Sequence, residues 1–177
     1  ANFQANFKKI VGTDIGPMQL LKMCEPAIAA DLLKTDENKY LMGIASNGTR
    51  WVATGGDWDS DGVSVIMTSA DASATTWNSQ ETPTTGNFGY LNGVAWGDLG
   101  FVAAHDEDFV MTSPDGVSWS QVFIDPEWGH YDVAWDGTQY LVSGAMGRIM
   151  TTPDLSNWSV VRVGSLYLWG IDWTGSQ

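Results

Sequence analysis

The residues best suited to chemistry form a short acidic pattern in the first third of the chain. Asp57, Asp59 and Asp61 alternate and are followed by Gly62. Alternate carboxylates can converge on one hard cation such as Ca²⁺, and a glycine permits the sharp turn that such a loop needs. The twelfth residue is Thr68 instead of the bidentate glutamate of a helix-flanked calcium loop. Two interpretations stay open: a calcium loop in a hairpin, or a solvated acidic tip that keeps a strand end from pairing.

Two tryptophans lie in segments that the rest of the chain does not repeat. Trp58 is inside the acidic pattern, and Trp128 follows Glu127 and precedes His130 by two residues. An exposed tryptophan beside such polar groups can stack on a sugar ring or contact a protein partner. Alternatively, the segment that contains Trp128 is a linker between two repeats that packs on the neighbouring repeat. We take these four residues as candidate ligand or partner contacts.

The rest of the sequence gives little support to catalysis. It contains no nucleotide-binding loop, zinc motif or nucleophile elbow. The segment His105–Asp108 is polar but isolated, which is a weak pattern for a metal site. The arginines are Arg50, Arg148 and Arg162, and the last two flank a single repeat motif, which predicts a peripheral position for both. We therefore predict no catalytic residue and no enzymatic activity.

These residues are embedded in a repeat that must position them. Its first half occurs four times, at spacings of 50, 39 and 38 residues. This period is close to that of the four-stranded blade of a β-propeller, at about 40–45 residues. We therefore expect each repeat to form one such unit. The four copies of the first half are residues 41–46, 91–96, 130–135 and 168–173.

The second repeat shows how one unit is built. Four runs, each bounded by Gly, Pro or Asp, predict antiparallel strands at 92–96, 100–104, 109–113 and 118–123. Asn-Gly and Asp-Gly pairs after the first strand are typical of two-residue primed hairpin turns, with positive φ at both residues. An aromatic residue opens each second strand, and we expect these side chains to be buried between blades. They are Trp51, Phe101 and Tyr140.

The second half of the repeat contains a further motif, best seen at residues 113–119. An aspartate at a hairpin corner can accept hydrogen bonds from nearby backbone amides, and a tryptophan then covers the corner. The motif resembles the Asp-box of sialidases and other β-propellers, and its short form is similar to repeats of photosystem-assembly and phage-associated propellers. The resemblance implies a structural role away from any active centre. The residues are Ser113, Asp115, Gly116 and Trp119; Thr152, Asp154 and Trp158; and Ser69, Asp71 and Trp77.

Composition narrows the classes of partner. The formal net charge is −13, from eight Lys and Arg against 21 Asp and Glu. This excess of acid argues against nucleic acid and anionic membranes, and it suits cations or a basic protein surface. Cys24 is the single cysteine, which excludes a disulfide within this sequence and a cysteine-based metal cluster. No apolar run reaches the ~20 residues of a membrane span, and residues 1–4 show no signal-peptide pattern.

Residues 1–37 differ in kind from the repeats. The segments 17–24 and 27–34 are rich in Ala, Leu and Met, contain no glycine and are separated by Pro26, which predicts one or two short helices. This segment either docks the chain to a partner or caps the open end of the repeats. Residues 38–177 form the repeat domain, divided into 38–90, 91–129, 130–167 and the incomplete 168–177.

The sequence therefore predicts an all-β fold of propeller-type four-stranded blades, three complete and a fourth begun, after a short, partly helical N-terminal segment. We expect a non-catalytic structural or adhesion module of a larger assembly. Its general resemblance to acidic short-box repeat proteins implies a bacteriophage virion component, a tail or fibre protein that binds a partner subunit or a host-surface glycan. Two alternatives stay open: a sialidase-like propeller glycoside hydrolase whose further blades hold the catalytic acids, and an assembly chaperone.

Overall fold

The computed structural model of the chain contains three antiparallel sheets of four strands each. It describes residues 39–57, 63–71, 73–80, 82, 89–124 and 129–175. Within each sheet, neighbouring strands follow one another along the chain. The N-terminal segment 1–37 and its expected helices lie outside the described residues. In the part of the chain that is described, no helix is long and apolar enough to cross a membrane.

The strand bounds are as follows. The first sheet consists of β1 (Lys39–Ser46), β2 (Trp51–Asp57), β3 (Val63–Ser69) and β4 (Asn78–Gln80). The second consists of β5 (Leu91–Gly97), β6 (Gly100–His105), β7 (Phe109–Ser113) and β8 (Ser120–Phe123). The third consists of β9 (His130–Trp135), β10 (Tyr140–Gly144), β11 (Arg148–Thr152) and β12 (Ser159–Arg162), with a 3₁₀ turn at Ala145–Gly147.

The all-β, blade-type fold expected from the repeat is confirmed. In the second sheet, β5 to β8 begin and end within two residues of the strands that the turn residues predict. The agreement is close because Gly, Pro and Asp end each run, and these residues favour turns over continued strand pairing.

The turn between β1 and β2 differs in one detail from the prediction. Asn47 N donates to Arg50 O at 3.2 Å, so Gly48 and Thr49 are the two central residues, and of these Gly48 alone has a positive φ, of 87°. A positive φ at the first central residue alone is the feature for which a type II′ turn needs glycine. The Asn47 side chain instead accepts hydrogen bonds from Thr49 N at 2.9 Å and Arg50 N at 2.7 Å.

The turns between the third and fourth strands are closed by side chains. In the second sheet, Asp115 Oδ1 accepts hydrogen bonds from Val117 N and Ser118 N, both at 2.8 Å. Trp119 Nε1 donates to Gly116 O at 3.1 Å. The aspartate therefore satisfies the backbone amides of the corner, and the tryptophan covers it, as the residue types suggest.

The residue three positions before the tryptophan has a positive φ in all three of these turns. The values are 77° at Gly116, 51° at Ala74 and 59° at Leu155. Trp77 Nε1 donates to Ala74 O at 2.9 Å, as the tryptophan of the second sheet does to Gly116 O. The two additional residues of the first repeat therefore lie between Asp71 and Ala74, and the corner keeps its geometry without glycine.

Apolar side chains pack between neighbouring sheets. Phe101 and Tyr140 are wholly buried, as expected, whereas Trp51 at the same repeat position is only partly buried. Tyr140 Oη donates to Gly100 O of the preceding sheet at 2.6 Å. Burial raises the pKa of Tyr140 to about 12, so the phenol stays protonated at neutral pH and keeps this bond between sheets.

The first strands β1, β5 and β9 approach each other closely at the glycine of the repeat. A Cβ atom on Gly43 would lie 2.7 Å from Asn92 O and 2.9 Å from Val94 N, and one on Gly93 would lie 2.7 Å from Asp132 Cα. These distances are shorter than carbon atoms tolerate. Only a residue without a side chain therefore allows the inner strands of neighbouring sheets to pack this way.

We predict that Gly93→Ala destabilises the fold by about 1–3 kcal/mol, because the added methyl group forces β5 and β9 apart. The matched control is Gly164→Ala, since a Cβ atom there meets nothing within 4 Å; its effect should stay within about 0.5 kcal/mol. Urea unfolding followed by tryptophan fluorescence measures both. Equal stability of the two variants would contradict the close approach of the strands.

The turn aspartates also predict a pH dependence. The hydrogen bonds from the Asn157 side chain, and then from the amides of Asn157 and Ser156, lower the pKa of Asp154 from 3.8 to about 2. A pKa below the unfolded value means that the ionised carboxylate stabilises the fold, fully above about pH 4 and progressively less as the pH falls toward about 2.

We therefore expect Asp154→Asn to lower the urea midpoint at neutral pH, and its difference from the wild type to shrink between about pH 4 and pH 2. Asp98→Asn, which changes an exposed carboxylate in the β5–β6 turn, is the control. If the difference does not change with pH, the charge of Asp154 is not what stabilises the turn.

Candidate functional site

The two ends of the sheets hold different loops. The strand registers place the β1–β2 type of turn and the Asp-containing turn together at one end, which we call the box end. The opposite end holds the loops between second and third strands and the segments that join one sheet to the next; we call it the linker end. Asp57, which ends β2, and His130, which begins β9, both lie there.

The structure describes only two of the predicted contact and metal residues. His130, a candidate contact residue, is wholly buried, so its side chain is not placed to contact a sugar or a partner at the surface. Asp57 is buried at the end of β2, opposite Val63. The others, Trp58, Asp59, Asp61, Glu127 and Trp128, lie outside the described residues.

Metal binding stays a prediction. Among the described residues, no group of three or more His, Cys, Asp or Glu side chains is placed to hold a metal ion. The calcium hypothesis depends on Asp59 and Asp61 together with Asp57, and the first two are not described.

Two polar residues of β9 replace apolar or small residues of the repeat. His130 stands where the other copies have leucine, and Leu91 at this position is wholly buried. Asp132 stands where the other copies have glycine. Both replacements add polar groups where the packing of a repeat does not need them, and such departures are expected at functional sites. The residues at equivalent positions are Leu41, Leu91 and Leu168, and Gly43, Gly93 and Gly170.

A third replacement is Arg148, the first residue of β11. The registers align it with Val65 of β3 and Phe109 of β7, both of which are buried. Arg148 is only 1% exposed and lies on the same face of β11 as Met150, which packs against the second sheet. The expectation that Arg148 is peripheral was wrong, because the Asp-containing turn begins at the far end of β11. A buried guanidinium is costly in an apolar core, so this position is unusual for a purely structural repeat.

Asn92 connects the second and third sheets at the linker end. Its Nδ2 donates to Asp106 Oδ1 and, at 3.0 Å, to His130 O. Asp106 Oδ2 accepts from Tyr90 N at 3.2 Å, and Asp106 N donates to Tyr90 O at 3.1 Å. Burial raises the pKa of Asp106, and the hydrogen bonds from Asn92 and Tyr90 oppose the rise. The loop after β6 thereby fixes the beginnings of β5 and β9.

His105 connects the first and second sheets. Its Nε2 lies 3.1 Å from Ser64 Oγ, which donates to Gly89 O at 3.0 Å, and its Nδ1 accepts from Glu107 N at 3.1 Å. Because the serine proton points to Gly89 O, Nε2 must bear the imidazole proton. Burial, with a smaller effect of nearby His130, lowers the pKa of His105 to about 4. The ring is therefore neutral at physiological pH.

The pair of Ser64 and His105 has the separation of a nucleophile and its base but not the required chemistry. Both side chains are buried, and His105 Nε2 already carries a proton, so it cannot remove one from Ser64. The contact is therefore a structural bond between sheets. It gives no support to hydrolysis.

Asp132 binds the segment that follows the third sheet. Its Oδ2 accepts from Ile171 N at 3.1 Å, and its Oδ1 accepts from Val133 N at 2.9 Å. Burial raises the pKa of Asp132 to about 6, against the opposing effect of these two hydrogen bonds. A carboxyl group that titrates near neutral pH thus stands at a glycine position of the repeat.

Three aromatic side chains meet at the linker end of the third sheet. Ring centroids are 4.4 Å apart for Tyr131 and Trp169, 5.6 Å for Tyr167 and Trp169, and 6.0 Å for Tyr131 and Tyr167. Trp169 is 60% exposed and Tyr167 56%. Burial, then Asp106 and Tyr167, raise the pKa of Tyr131, while Arg148 lowers it. We call these three side chains the aromatic cluster.

The linker end therefore combines an exposed aromatic cluster with fixed polar groups beneath it. This arrangement suits recognition of a ligand or partner, since aromatic residues dominate contact surfaces. The tryptophans in unrepeated segments do not indicate this aromatic cluster. Comparison of every repeat position would single out His130, Asp132 and Arg148. The residues that this reasoning missed are Asn92, Asp106, Tyr131, Asp132, Arg148, Tyr167 and Trp169.

Comparison with known proteins bears on the fold. No protein-family model matches the chain, and no curated protein matches it. Among solved structures, the chain is similar to YCF48 bound to D1 peptide, with 17% identity and a TM-score of 0.63, over 74% of this chain and 42% of that one. It is also similar to a chain of a nidogen/laminin complex, with 14% identity and a TM-score of 0.52, over 78% of this chain and 70% of that one.

A further similarity, to apo AztD from Citrobacter koseri, has 16% identity and a TM-score of 0.45, over 72% of this chain and 35% of that one. The chain thus spans less than half of the YCF48 and AztD chains. YCF48 and the nidogen/laminin chain are β-propeller proteins. At such low identity their likeness shows the fold alone, which is that of propeller-type blades.

The buried carboxyl group of Asp132 predicts how much the site lowers the stability of the fold. Burial raises its pKa from 3.8 to about 6, so the fold disfavours the ionised form. The penalty is absent below about pH 4 and complete above about pH 6. Asp132→Asn removes it and keeps one acceptor oxygen. We expect this variant to be more stable than the wild type by up to roughly 3 kcal/mol at mildly alkaline pH, and the gain to vanish near pH 4.

Urea unfolding at the two pH values measures this difference, with Asp98→Asn as the control because Asp98 is an exposed carboxylate in the β5–β6 turn. A variant that loses stability at alkaline pH would show that the hydrogen bonds of the ionised carboxylate outweigh its burial.

Proposed function

We propose that this chain is a protein-binding propeller module of a larger assembly and that it contacts its partner through the linker end. The observation that supports this most directly is the aromatic cluster, because its repeat position stays half-buried at Asn92 and Tyr131 even where strands pair beside it. Exposed aromatic groups on a rigid support are typical of the residues that dominate binding energy at protein interfaces. The hydrogen bonds of Asn92 and Asp106 provide that rigid support.

The neighbours in structure are consistent with this proposal. One was solved as YCF48 bound to D1 peptide, and another as a nidogen/laminin complex. The bound peptide and the laminin partner belong to those proteins, and they suggest that propellers of this general shape serve as binding scaffolds.

Within this function, we favour a bacteriophage virion component, a tail or fibre protein. The support is the acidic short-box repeat, with a net charge of −13, and its resemblance to phage-associated propellers. A host-surface glycan is a second ligand for the same rings, because aromatic side chains stack on sugars. Two alternatives belong to other functional classes: a sialidase-like hydrolase and an assembly chaperone.

Site-specific photo-crosslinking tests the proposal in the producing cells. A photoreactive phenylalanine analogue replaces Tyr167 at the linker end or, as the control, Ser156 at the exposed box end. We expect the Tyr167 position to crosslink one defined protein and the Ser156 position to give none. Co-sedimentation of the crosslinked product with DNA-containing particles on a density gradient would place it in a virion.

Two results would contradict the proposal. One is a chain that sediments as a free monomer without crosslinks at Tyr167. The other is release of reducing sugar from glycans by the purified protein, lost on substitution of a linker-end carboxylate, which would favour the hydrolase.

A further inference from the structure

The aromatic cluster occupies positions that remain partly exposed in the completed sheets. Trp169 and Tyr131 share one repeat position with Asn92, and both Asn92 and Tyr131 are half-buried although strands pair beside them. The rings of Trp169 and Tyr131 are tilted against each other, with centroids 4.4 Å apart. Trp169 and Tyr131 therefore continue the row of half-buried side chains that this repeat position places at the linker end.

An acidic loop lies next to this cluster. Residues 106–108 are Asp, Glu and Asp, and all three are partly exposed. A Cβ atom on Gly129 would be 2.7 Å from Tyr131 Oη and 3.2 Å from Asp106 O, so the phenol hydroxyl and the backbone of the acidic loop are adjacent. Burial, and then the charges of Asp108 and Asp106, raise the pKa of Glu107. The loop thus concentrates three carboxylates beside the aromatic cluster.

The charges of the described linker end favour a cationic ligand. The carboxylates at the described linker end are Asp57, Asp132 and the three of the acidic loop, and the cations are the buried Arg148, Arg162 beside it on β12, and Lys39 at the beginning of β1. The whole chain has a net charge of −13. A cation over an aromatic face is attracted by the ring quadrupole, and a carboxylate beside it adds a charge-assisted hydrogen bond. The carboxylates would repel an acidic segment. A purely apolar segment would contact the rings but would not pair with the carboxylates.

We propose that the aromatic cluster and the acidic loop together bind a lysine- or arginine-bearing segment of a protein partner, an inference that deepens and rests on the proposed function. The basic side chain lies across the exposed faces of Trp169 and Tyr167, and its charged end pairs with Glu107 or Asp108. A neutral sugar would use the same rings but would gain nothing from the charge of the acidic loop.

Fluorescence anisotropy with labelled peptides tests this proposal. The probe is Gly-Arg-Gly-Arg-Gly, compared with the same peptide carrying citrulline, which keeps the shape and loses the charge. We expect the arginine peptide to bind, the citrulline peptide to bind roughly tenfold more weakly or not at all, and affinity to fall with added salt. The double variant Y167A/W169A should bind the arginine peptide roughly three- to thirtyfold more weakly.

Two matched controls separate the site from bulk charge and general stickiness. Phe123→Ala removes another exposed ring, 68% exposed on an outer strand, and should leave binding within about twofold. Glu107→Gln should weaken binding more than Asp98→Asn, although each removes one negative charge. Near-ultraviolet circular dichroism and the urea midpoint of every variant confirm that the fold is retained.

Three outcomes would overturn the proposal. The first is equal binding of the citrulline peptide, and the second is equal loss of affinity in the site variants and their controls. The third is a glycan array on which the wild type binds and Y167A/W169A does not, with no peptide binding. If the Tyr167 position still crosslinks a protein while these peptide results are negative, the protein-binding function stands and only its cationic specificity is wrong.

Discussion

The close approach of the inner strands is the constraint on which the rest of the structure depends. Gly43 and Gly93 have no room for a side chain because the next inner strand lies against them. Each sheet can therefore meet its neighbour at one separation only, and the apolar faces between sheets must fill the space that this separation leaves. The bond from Tyr140 Oη to Gly100 O fixes the same spacing at the box end. These contacts therefore help to determine where the loops of the linker end lie.

This constraint explains why the replacements in the third sheet matter. At the position of Gly93, Asp132 places a carboxylate between β9 and the following segment, where it accepts a hydrogen bond from Ile171 N. Arg148 puts a guanidinium where Phe109 is part of the core in the second sheet. A repeat selected for packing alone would keep glycine and an apolar residue there. The third sheet thus accepts polar groups in its interior at the end where the aromatic cluster is exposed, and residues that cost stability are common where function requires them.

The sequence is informative about the sheets and much less so about the site. Repeat spacing and turn residues predict β5 to β8 to within two residues because both are local properties. The turn at Gly48 was misjudged because the pattern does not say which two residues are central. Asn92 and Asp106 have no sequence signal, since their partnership depends on the register that brings two strands and a loop together. The predicted peripheral position of Arg148 is wrong because its place beside the repeat motif says nothing about which end of β11 is buried.

The titrating groups of the linker end have opposite effects on the pH dependence of stability. Burial lowers the pKa of His105 from 6.5 to about 4, so the fold loses stability as the pH falls through that interval. Asp132, whose pKa burial raises from 3.8 to about 6, makes the fold more stable as the pH falls through nearly the same interval. Asp106 and Glu107, whose pKa values are also raised by burial, act in the same direction as Asp132, so the neutral histidine opposes the effect of the carboxyl groups on stability. The charge of the surface above them then depends mainly on the acidic loop, whose exposed carboxylates set the field that a partner meets.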